Sequence, residues 1–131
     1  MRRLLNIGVL VSGRGSNLQA IIDNIEAGEL NAKINIVISD KKEARALKRA
    51  EDHYIDNIYV DPKNYNNKED YEEKLISILE NNEVDLVVMA GFMRILSSFF
   101  IRHYENRIMN IHPSLLPAFP GLDAQKQALE Y

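Results

Sequence analysis

Hydrophobic residues along the 131-residue chain follow two alternating spacings, one typical of buried strands and one typical of helices. Residues 4–11 are nearly all apolar, which is the pattern of a parallel strand covered on both faces. After a glycine-containing loop, apolar residues recur at helical spacing from Leu18 to Ile25, and Gly28 ends that helix. The chain therefore begins with a strand, a tight loop and a helix.

The alternation of strands and helices continues as far as residue 111. Further strands are predicted at residues 34–38, 58–60, 86–89 and 107–111, and helices at residues 43–52, 71–79 and 99–101. The polar residues 64–70 predict a surface loop, and residues 125–130 predict a last helix. Strands separated by helical segments predict an α/β fold, a doubly wound parallel sheet with helices on both faces.

Composition and charge indicate one globular domain, residues 1–131, that acts on small molecules. Hydrophobic residues make up 46% of the chain and charged residues 27%, as in proteins that fold in water. The net charge of −3 gives no basic field for nucleic acid, and no apolar stretch is long enough to span a membrane. The absence of cysteine excludes disulfides and thiolate metal sites and agrees with a reducing cytoplasm.

The histidines at positions 53 and 103 are predicted to be surface residues. Both lie in charged helical stretches without partners at metal-ligand spacing, so no metal site is predicted. The sequence leaves open whether the protein is a monomer or a dimer.

The loop Ser12–Asn17 has the sequence Ser-Gly-Arg-Gly-Ser-Asn and joins the first strand to the first helix. Backbone N–H groups in such a loop can approach a phosphate, and the helix N-terminus favours its negative charge. Gly13, Gly15, Ser16 and Asn17 suit that role. The alternative is a tight turn in which glycine only supplies a positive φ angle.

Two nucleotide-binding patterns are absent from this loop. A dinucleotide fingerprint would need a third glycine where Leu18 stands, and the lysine of a P-loop is missing. One feature still favours a dinucleotide, because Asp40 ends the second predicted strand where a ribose-binding acid would lie. The favoured interpretation of Asp40 is a helix N-cap or a turn.

A second motif, Ala90–Leu96, follows directly on a buried strand. The carboxyl ends of strands in open parallel sheets are where such proteins bind their ligands. Apolar residues at positions 92, 93, 95 and 96 could wall a pocket or simply continue the core. Arg94 and Lys68 could each reach an anionic group of a ligand or lie in solvent.

The third motif is Asn110-Ile111-His112. Residues two apart share a face of an extended strand, so an amide and an imidazole would lie together. An imidazole moves protons near neutral pH and an amide can donate to an oxyanion, which suits acyl-type transfer. The alternative is that Asn110 closes a strand and His112 begins a loop fixed by Pro113.

Together the motifs Ser12–Asn17, Ala90–Leu96 and Asn110–Pro117 resemble phosphoribosylglycinamide formyltransferase, the folate-dependent transformylase of purine synthesis. The resemblance runs in register along essentially the whole chain. Methionyl-tRNA formyltransferases and formyltetrahydrofolate hydrolases resemble it around Asn110 and His112 but not in the glycine loop.

The resemblance implies transfer of a formyl group from 10-formyltetrahydrofolate to the amine of glycinamide ribonucleotide, with no metal. It implies that Gly15, Ser16 and Asn17 bind the substrate phosphate. It further implies that the folate is bound by Lys68, Met93, Arg94, Ile95, Leu96 and Asn110. Asn110 would also touch the formyl group, and His112 would be the proton donor.

Two other functions stay open from the sequence. A non-catalytic nucleotide-binding module would use Gly13 and Gly15 for phosphate and Asp40 for ribose, and a related formyltransferase would act on another amine. The aspartate that raises the pKa of the histidine in the resembled family has no match before Tyr131. The domain is therefore expected to be truncated at its C-terminus and to be weak or inactive as an enzyme.

Overall fold

The computed structural model describes residues 4–111, which form a five-stranded parallel sheet with helices on both faces. The strands are β1 (Leu5–Val11), β2 (Ala32–Ser39), β3 (Asn57–Tyr59), β4 (Leu86–Met89) and β5 (Ile108–Asn110). The helices are α1 (Ser16–Glu26), α2 (Arg45–Asp52), α3 (Lys68–Asn81) and α4 (Ser98–His103), with a 3-10 turn at Pro62–Asn64. The predicted α/β fold is confirmed.

The order of the strands across the sheet is β3-β2-β1-β4-β5. The chain moves outward from β1 to β3 and then returns to place β4 on the other side of β1. This reversal leaves a crevice at the carboxyl ends of β1 and β4, since in residues 4–111 the connections from these two strands lead to opposite sides. The loops that follow these two strands are the glycine loop and the Ala90–Leu96 motif.

Alternate residues of β1 enter two separate cores. Val9 and Val11 belong to a core with α1 and α2, whereas Leu10 belongs to a core with α3 and α4. Both faces of the central strand are therefore buried, which explains its nearly continuous apolar sequence. The largest fully buried side chains, Phe100 and Tyr104, close the second core.

The predicted surface loop at residues 64–70 is partly wrong. The 3-10 turn begins earlier, and α3 already starts at Lys68. The polar residues cap these helices: the Asp61 carboxylate accepts from the N–H of Lys63 at 2.9 Å, and the Asn67 side chain accepts from the N–H of Asp70 at 2.8 Å. The polar residues here cap helix starts, and most of them are exposed as predicted. The helix predicted at residues 125–130 lies outside the described residues.

Candidate active site

The loops after β1 and β4 are joined at the crevice by one buried hydroxyl group. Ser12 Oγ accepts a hydrogen bond from the backbone N–H of Met93 at 2.8 Å. The same hydroxyl donates to Asp40 Oδ1 at 2.6 Å. Since Asp40 follows β2, this serine connects the ends of three neighbouring strands. The glycine loop and the Ala90–Leu96 motif therefore belong to one site.

Gly15 is the N-cap residue of α1 and has a φ angle of +79°. A β-carbon at this position would lie 2.7 Å from both Cα and Cβ of Ala46 in α2. Two separate constraints thus require glycine here, the left-handed backbone and the close approach of a second helix. The positive φ angle expected for a tight turn is present at Gly15, and the same turn presents the exposed Ser16 at the start of an 11-residue helix. Phosphate binding by this loop stays a prediction.

Asn17, predicted to bind phosphate, has a buried side chain that is 8% exposed. Its Nδ2 lies 3.5 Å from the carbonyl oxygen of Ile111. The amide side chain therefore reaches the residue that precedes His112. As the second residue of α1, Asn17 also has one of the backbone N–H groups without an acceptor within the helix.

A cleft of about 650 Å³ opens beside these loops. Five of the six residues predicted to bind folate line it: Lys68, Met93, Arg94, Ile95 and Leu96. Its other lining residues are Asp40, Lys41, Pro62, Tyr65, Asn67, Tyr71 and Glu72. Asn110, the sixth predicted folate contact, is not among the lining residues. The structure thus brings Lys68 of α3 to the segment after β4, which is 25 positions further along the chain.

The apolar residues of the Ala90–Leu96 motif divide into two groups. Met93 is 78% exposed and Ile95 is 82% exposed, so these two do not continue the core. Phe92 and Leu96 are half-buried and pack against the core of α3 and α4. Large apolar side chains held in the open beside a cleft are typical of a ligand-binding wall.

Arg94 lines the cleft and is paired with a carboxylate rather than lying free in solvent. Its Nε lies 3.1 Å from Asp40 Oδ2, and the Asp40 side chain is only 1% exposed. The guanidinium carbon lies 5.8 Å from the centre of the Tyr71 ring, within range of a cation–π contact. A buried carboxylate needs such a partner, because desolvation of an unpaired charge is costly.

Of the two interpretations of Asp40, the helix N-cap is wrong, whereas the turn agrees with the bend of the chain at this residue. Helix α2 begins at Arg45 with Ala44 as its N-cap residue, five residues after the end of β2. Both carboxylate oxygens of Asp40 are instead bonded, one to Ser12 and the other to Arg94. No local pattern could predict this pairing, because the two partners are 28 and 54 positions away.

Two further cleft residues, Tyr71 and Glu72, were not predicted. The Tyr71 hydroxyl donates to the carbonyl of Val60 at 3.3 Å, and burial, followed by the charge of Asp40, raises its pKa above the usual range. Glu72 is 1% exposed and accepts from both the backbone N–H and the hydroxyl of Ser97, just before α4. The sequence did contain a signal for Glu72, which lies on the apolar stripe of α3. A carboxylate on a buried helix face needs specific hydrogen-bond donors.

Asn110 is the last residue of β5 and is exposed. It pairs with Met89 across the sheet, and the N–H of Ile111 donates to the Met89 carbonyl at 3.0 Å. The chain therefore remains attached to β4 up to the residue before His112. His112 and Pro113 lie outside the described residues, so the closeness of Asn110 and His112 stays a prediction.

A model of the formyl transferase family matches residues 5–131, nearly the whole chain. The chain belongs to the formyl transferase family. Phosphoribosylglycinamide formyltransferase of Escherichia coli (strain K12) is 45% identical over 126 residues, which cover 96% of this chain and 59% of that protein. The chain thus spans about three fifths of the length of this curated relative.

Solved structures of related proteins have the same fold as this formyl transferase chain. Glycinamide ribonucleotide transformylase 1 from Symbiobacterium toebii matches with a TM-score of 0.81 and 46% identity, over 97% of this chain and 60% of that one. Phosphoribosylglycinamide formyltransferase from Brucella melitensis matches with a TM-score of 0.81 and 41% identity, over 98% of this chain and 67% of that one. The resemblance drawn from the three motifs is confirmed.

Membrane-spanning helices and metal sites are both absent from the described part of the formyl transferase chain. Among residues 4–111, no helix is long and apolar enough to cross a membrane. Within the same residues, no three His, Cys, Asp or Glu side chains are grouped so that they could hold a metal ion. His53 lies 2.8 Å from Glu26 and His103 lies 3.6 Å from Glu80, both outside the cleft.

Proposed function

We propose that the protein transfers a formyl group from 10-formyltetrahydrofolate to the amine of glycinamide ribonucleotide in purine synthesis. The observation that carries the proposal is the Ser12 hydroxyl, which bonds the glycine loop to the wall of the cleft. A phosphate site and a site for a flat heterocycle would then meet at one sheet edge. The relatives named above carry the activity in their names.

Each substrate has its own part of the site in this proposal. The ribonucleotide phosphate is bound at the start of α1 by Gly15, Ser16 and Asn17, where N–H groups lack intrahelical acceptors. The folate lies in the cleft between Lys68 and the segment Met93–Leu96. Because Arg94 is paired with Asp40, its side chain forms part of the wall of the cleft. The acidic end of the folate is then bound by Lys68.

The chemistry would take place at the end of β5. The substrate amine attacks the formyl carbon, a carbon–nitrogen bond forms, and the carbonyl electrons move to the oxygen. The Asn110 amide donates to that oxyanion, and protonated His112 gives its proton to the departing folate nitrogen as the original carbon–nitrogen bond breaks. The oxyanion then re-forms the carbonyl of the new amide, and the proton that the attacking amine loses returns to His112. A cytoplasmic location, in accord with the absence of cysteine, is part of the proposal.

The rival function, a non-catalytic nucleotide-binding module, needs a free Asp40 carboxylate to bind ribose hydroxyls. Both Asp40 oxygens are occupied, and the side chain is almost completely buried. This disfavours a dinucleotide ligand on physical grounds. A formyltransferase acting on another amine would keep the folate cleft and differ only in its second substrate.

Calorimetry on the protein separates these functions. We expect binding of glycinamide ribonucleotide and of a stable 10-formylfolate analogue, and no binding of NAD. Formylated product should accumulate when both substrates are supplied. Binding of NAD without binding of the folate analogue would contradict the proposal. Folate binding without formylation of glycinamide ribonucleotide would indicate another amine.

Residues 1–131 alone are expected to form product slowly or not at all. They span 59% of the Escherichia coli relative, and the resemblance assigns to the remaining part an aspartate that keeps the histidine protonated. A histidine without such a carboxylate has a pKa of about 6.5 and is mostly neutral at pH 7. The measurement is turnover of residues 1–131 beside a chain of the relative's full length, at equal concentration and pH. Equal turnover would require another acid in the mechanism.

A further inference from the structure

Three consecutive carbonyl groups of the glycine loop, those of Gly13, Arg14 and Gly15, are bonded within the protein. The Gly13 carbonyl accepts from the N–H of Ala46 in α2 at 3.2 Å, and the Gly15 carbonyl accepts from the N–H of Gln19 in α1 at 2.8 Å. Between them, the Arg14 carbonyl is bonded by a side chain of α2, described next. Three consecutive carbonyl oxygens of the loop therefore have donors from the protein.

Arg49 supplies the bond to the middle carbonyl. Its Nε donates to the oxygen of Arg14 at 2.7 Å, and its Nη1 donates to Gln19 Oε1 at 3.2 Å. One guanidinium group thus joins α2, the glycine loop and the first turns of α1. Its planar fork suits two acceptors that lie on different elements. Arg49 is partly buried and does not line the folate cleft.

The direction of these carbonyl groups matters for an anionic ligand. A carbonyl oxygen carries partial negative charge and would repel a phosphate placed beside it, whereas N–H groups attract one. The Gly13 and Arg14 oxygens are both bonded by α2, which fixes the orientation of their two peptide planes, because each peptide unit is planar. The N–H groups of Arg14 and Gly15, on the opposite sides of those planes, are then directed away from α2.

We infer that Arg49 is a positioning residue, which shapes the glycine loop so that it can bind the phosphate of the ribonucleotide. The inference rests on the proposed function and adds a residue to its phosphate site. Arg49 acts through the Arg14 carbonyl, and its positive charge also makes the neighbourhood of the loop more favourable for an anion. The folate cleft, which the Ser12 hydroxyl connects to the glycine loop, is not part of this role.

The test compares three variants of the intact protein: Arg49→Met, Arg49→Lys and the control Lys48→Met. Lys48 is the neighbouring residue of α2, and it pairs with Asp52 on the exposed helix surface. Its replacement removes the same charge without touching the loop. Calorimetry measures the affinity of each variant for inorganic phosphate, glycinamide ribonucleotide and a 10-formylfolate analogue, and thermal unfolding shows that each variant is folded.

Arg49→Met is expected to weaken binding of glycinamide ribonucleotide and of phosphate by about tenfold or more, the effect of losing a charge-assisted hydrogen bond. The folate analogue should bind within twofold of the wild type, and Lys48→Met should leave all affinities unchanged. Arg49→Lys should recover only part of the loss, because an ammonium group does not reproduce the fork.

Three results would overturn the inference. The first is an unchanged phosphate affinity in Arg49→Met, and the second is an equal loss of affinity for both substrates. The third is full recovery of affinity in Arg49→Lys, which would show that the positive charge alone is sufficient. Failure of the proposed function would look different, because the wild-type protein would then bind phosphate but neither glycinamide ribonucleotide nor the folate analogue. The effect of Arg49 on phosphate affinity decides the inference in that case as well.

Discussion

Replacing His112 by alanine is expected to slow formyl transfer by about 10²–10⁴-fold, the usual contribution of a general acid. The physical reason is the departing folate nitrogen, which needs a proton as its bond to the formyl carbon breaks. The structure places the preceding residue, Ile111, at the site: its N–H is bonded to Met89 at the end of β4 and its carbonyl lies 3.5 Å from the Asn17 amide. The measurement is steady-state turnover of the intact protein with both substrates.

Binding should be affected much less than turnover. The affinity of the His112→Ala variant for glycinamide ribonucleotide is expected to stay within a few-fold of the wild type, because the phosphate is bound at the start of α1. His103→Ala is a matched control, since His103 pairs with Glu80 on the surface and does not line the cleft. A His112→Ala enzyme that keeps more than half of the wild-type turnover would rule out the proton-donor role.

Replacing Gly15 by valine is expected to abolish most binding of glycinamide ribonucleotide and to destabilise the fold by on the order of 3 kcal/mol. Two costs add. A branched side chain is strained at a φ angle of +79°, and its β-carbon would lie 2.7 Å from the backbone of Ala46. Helix α2 cannot move away freely, because its N–H at Ala46 also bonds the loop at Gly13. Urea unfolding and substrate KM values measure the two effects.

Gly13→Ala is the matched control for stability. A β-carbon at Gly13 would meet no heavy atom within 4 Å, so the unfolding midpoint of the Gly13→Ala variant should equal that of the wild type. Gly15→Ala should already show a large part of the destabilisation, since the clash involves the β-carbon itself. If the KM for glycinamide ribonucleotide were unchanged in Gly15→Val and folate affinity fell instead, the two substrates would have been assigned to the wrong pockets.

Local sequence pattern was sufficient for the elements of the fold because the two periodicities of buried residues differ strongly. The continuous apolar run of β1 and the helical spacing from Leu18 to Ile25 each require a different backbone to reach the core. Polar capping residues were less informative. Asn67 was part of the predicted polar loop, but its side chain caps the start of α3. Only the hydrogen bond from the N–H of Asp70 distinguishes a helix cap from a loop residue here.

The general location of the site was also predictable. Carboxyl ends of parallel strands lie at one edge of a sheet, so motifs that follow β1, β4 and β5 had to converge there. Lys68 lines the same cleft as the segment Met93–Leu96, while folate binding by these residues stays a prediction. Asn110 lies at the same edge without lining that cleft.

By itself, then, the sequence determined the elements, the parallel sheet and the edge that carries the site, since all three follow from the spacing of apolar residues and from motifs a few residues long. Only the tertiary structure decided the partners of Asp40, Arg94 and Arg49. These side chains bond residues 28 to 54 positions away, across strands that become neighbours through the order β3-β2-β1-β4-β5. Such contacts depend on which elements become neighbours in three dimensions, and that arrangement has no period along the chain.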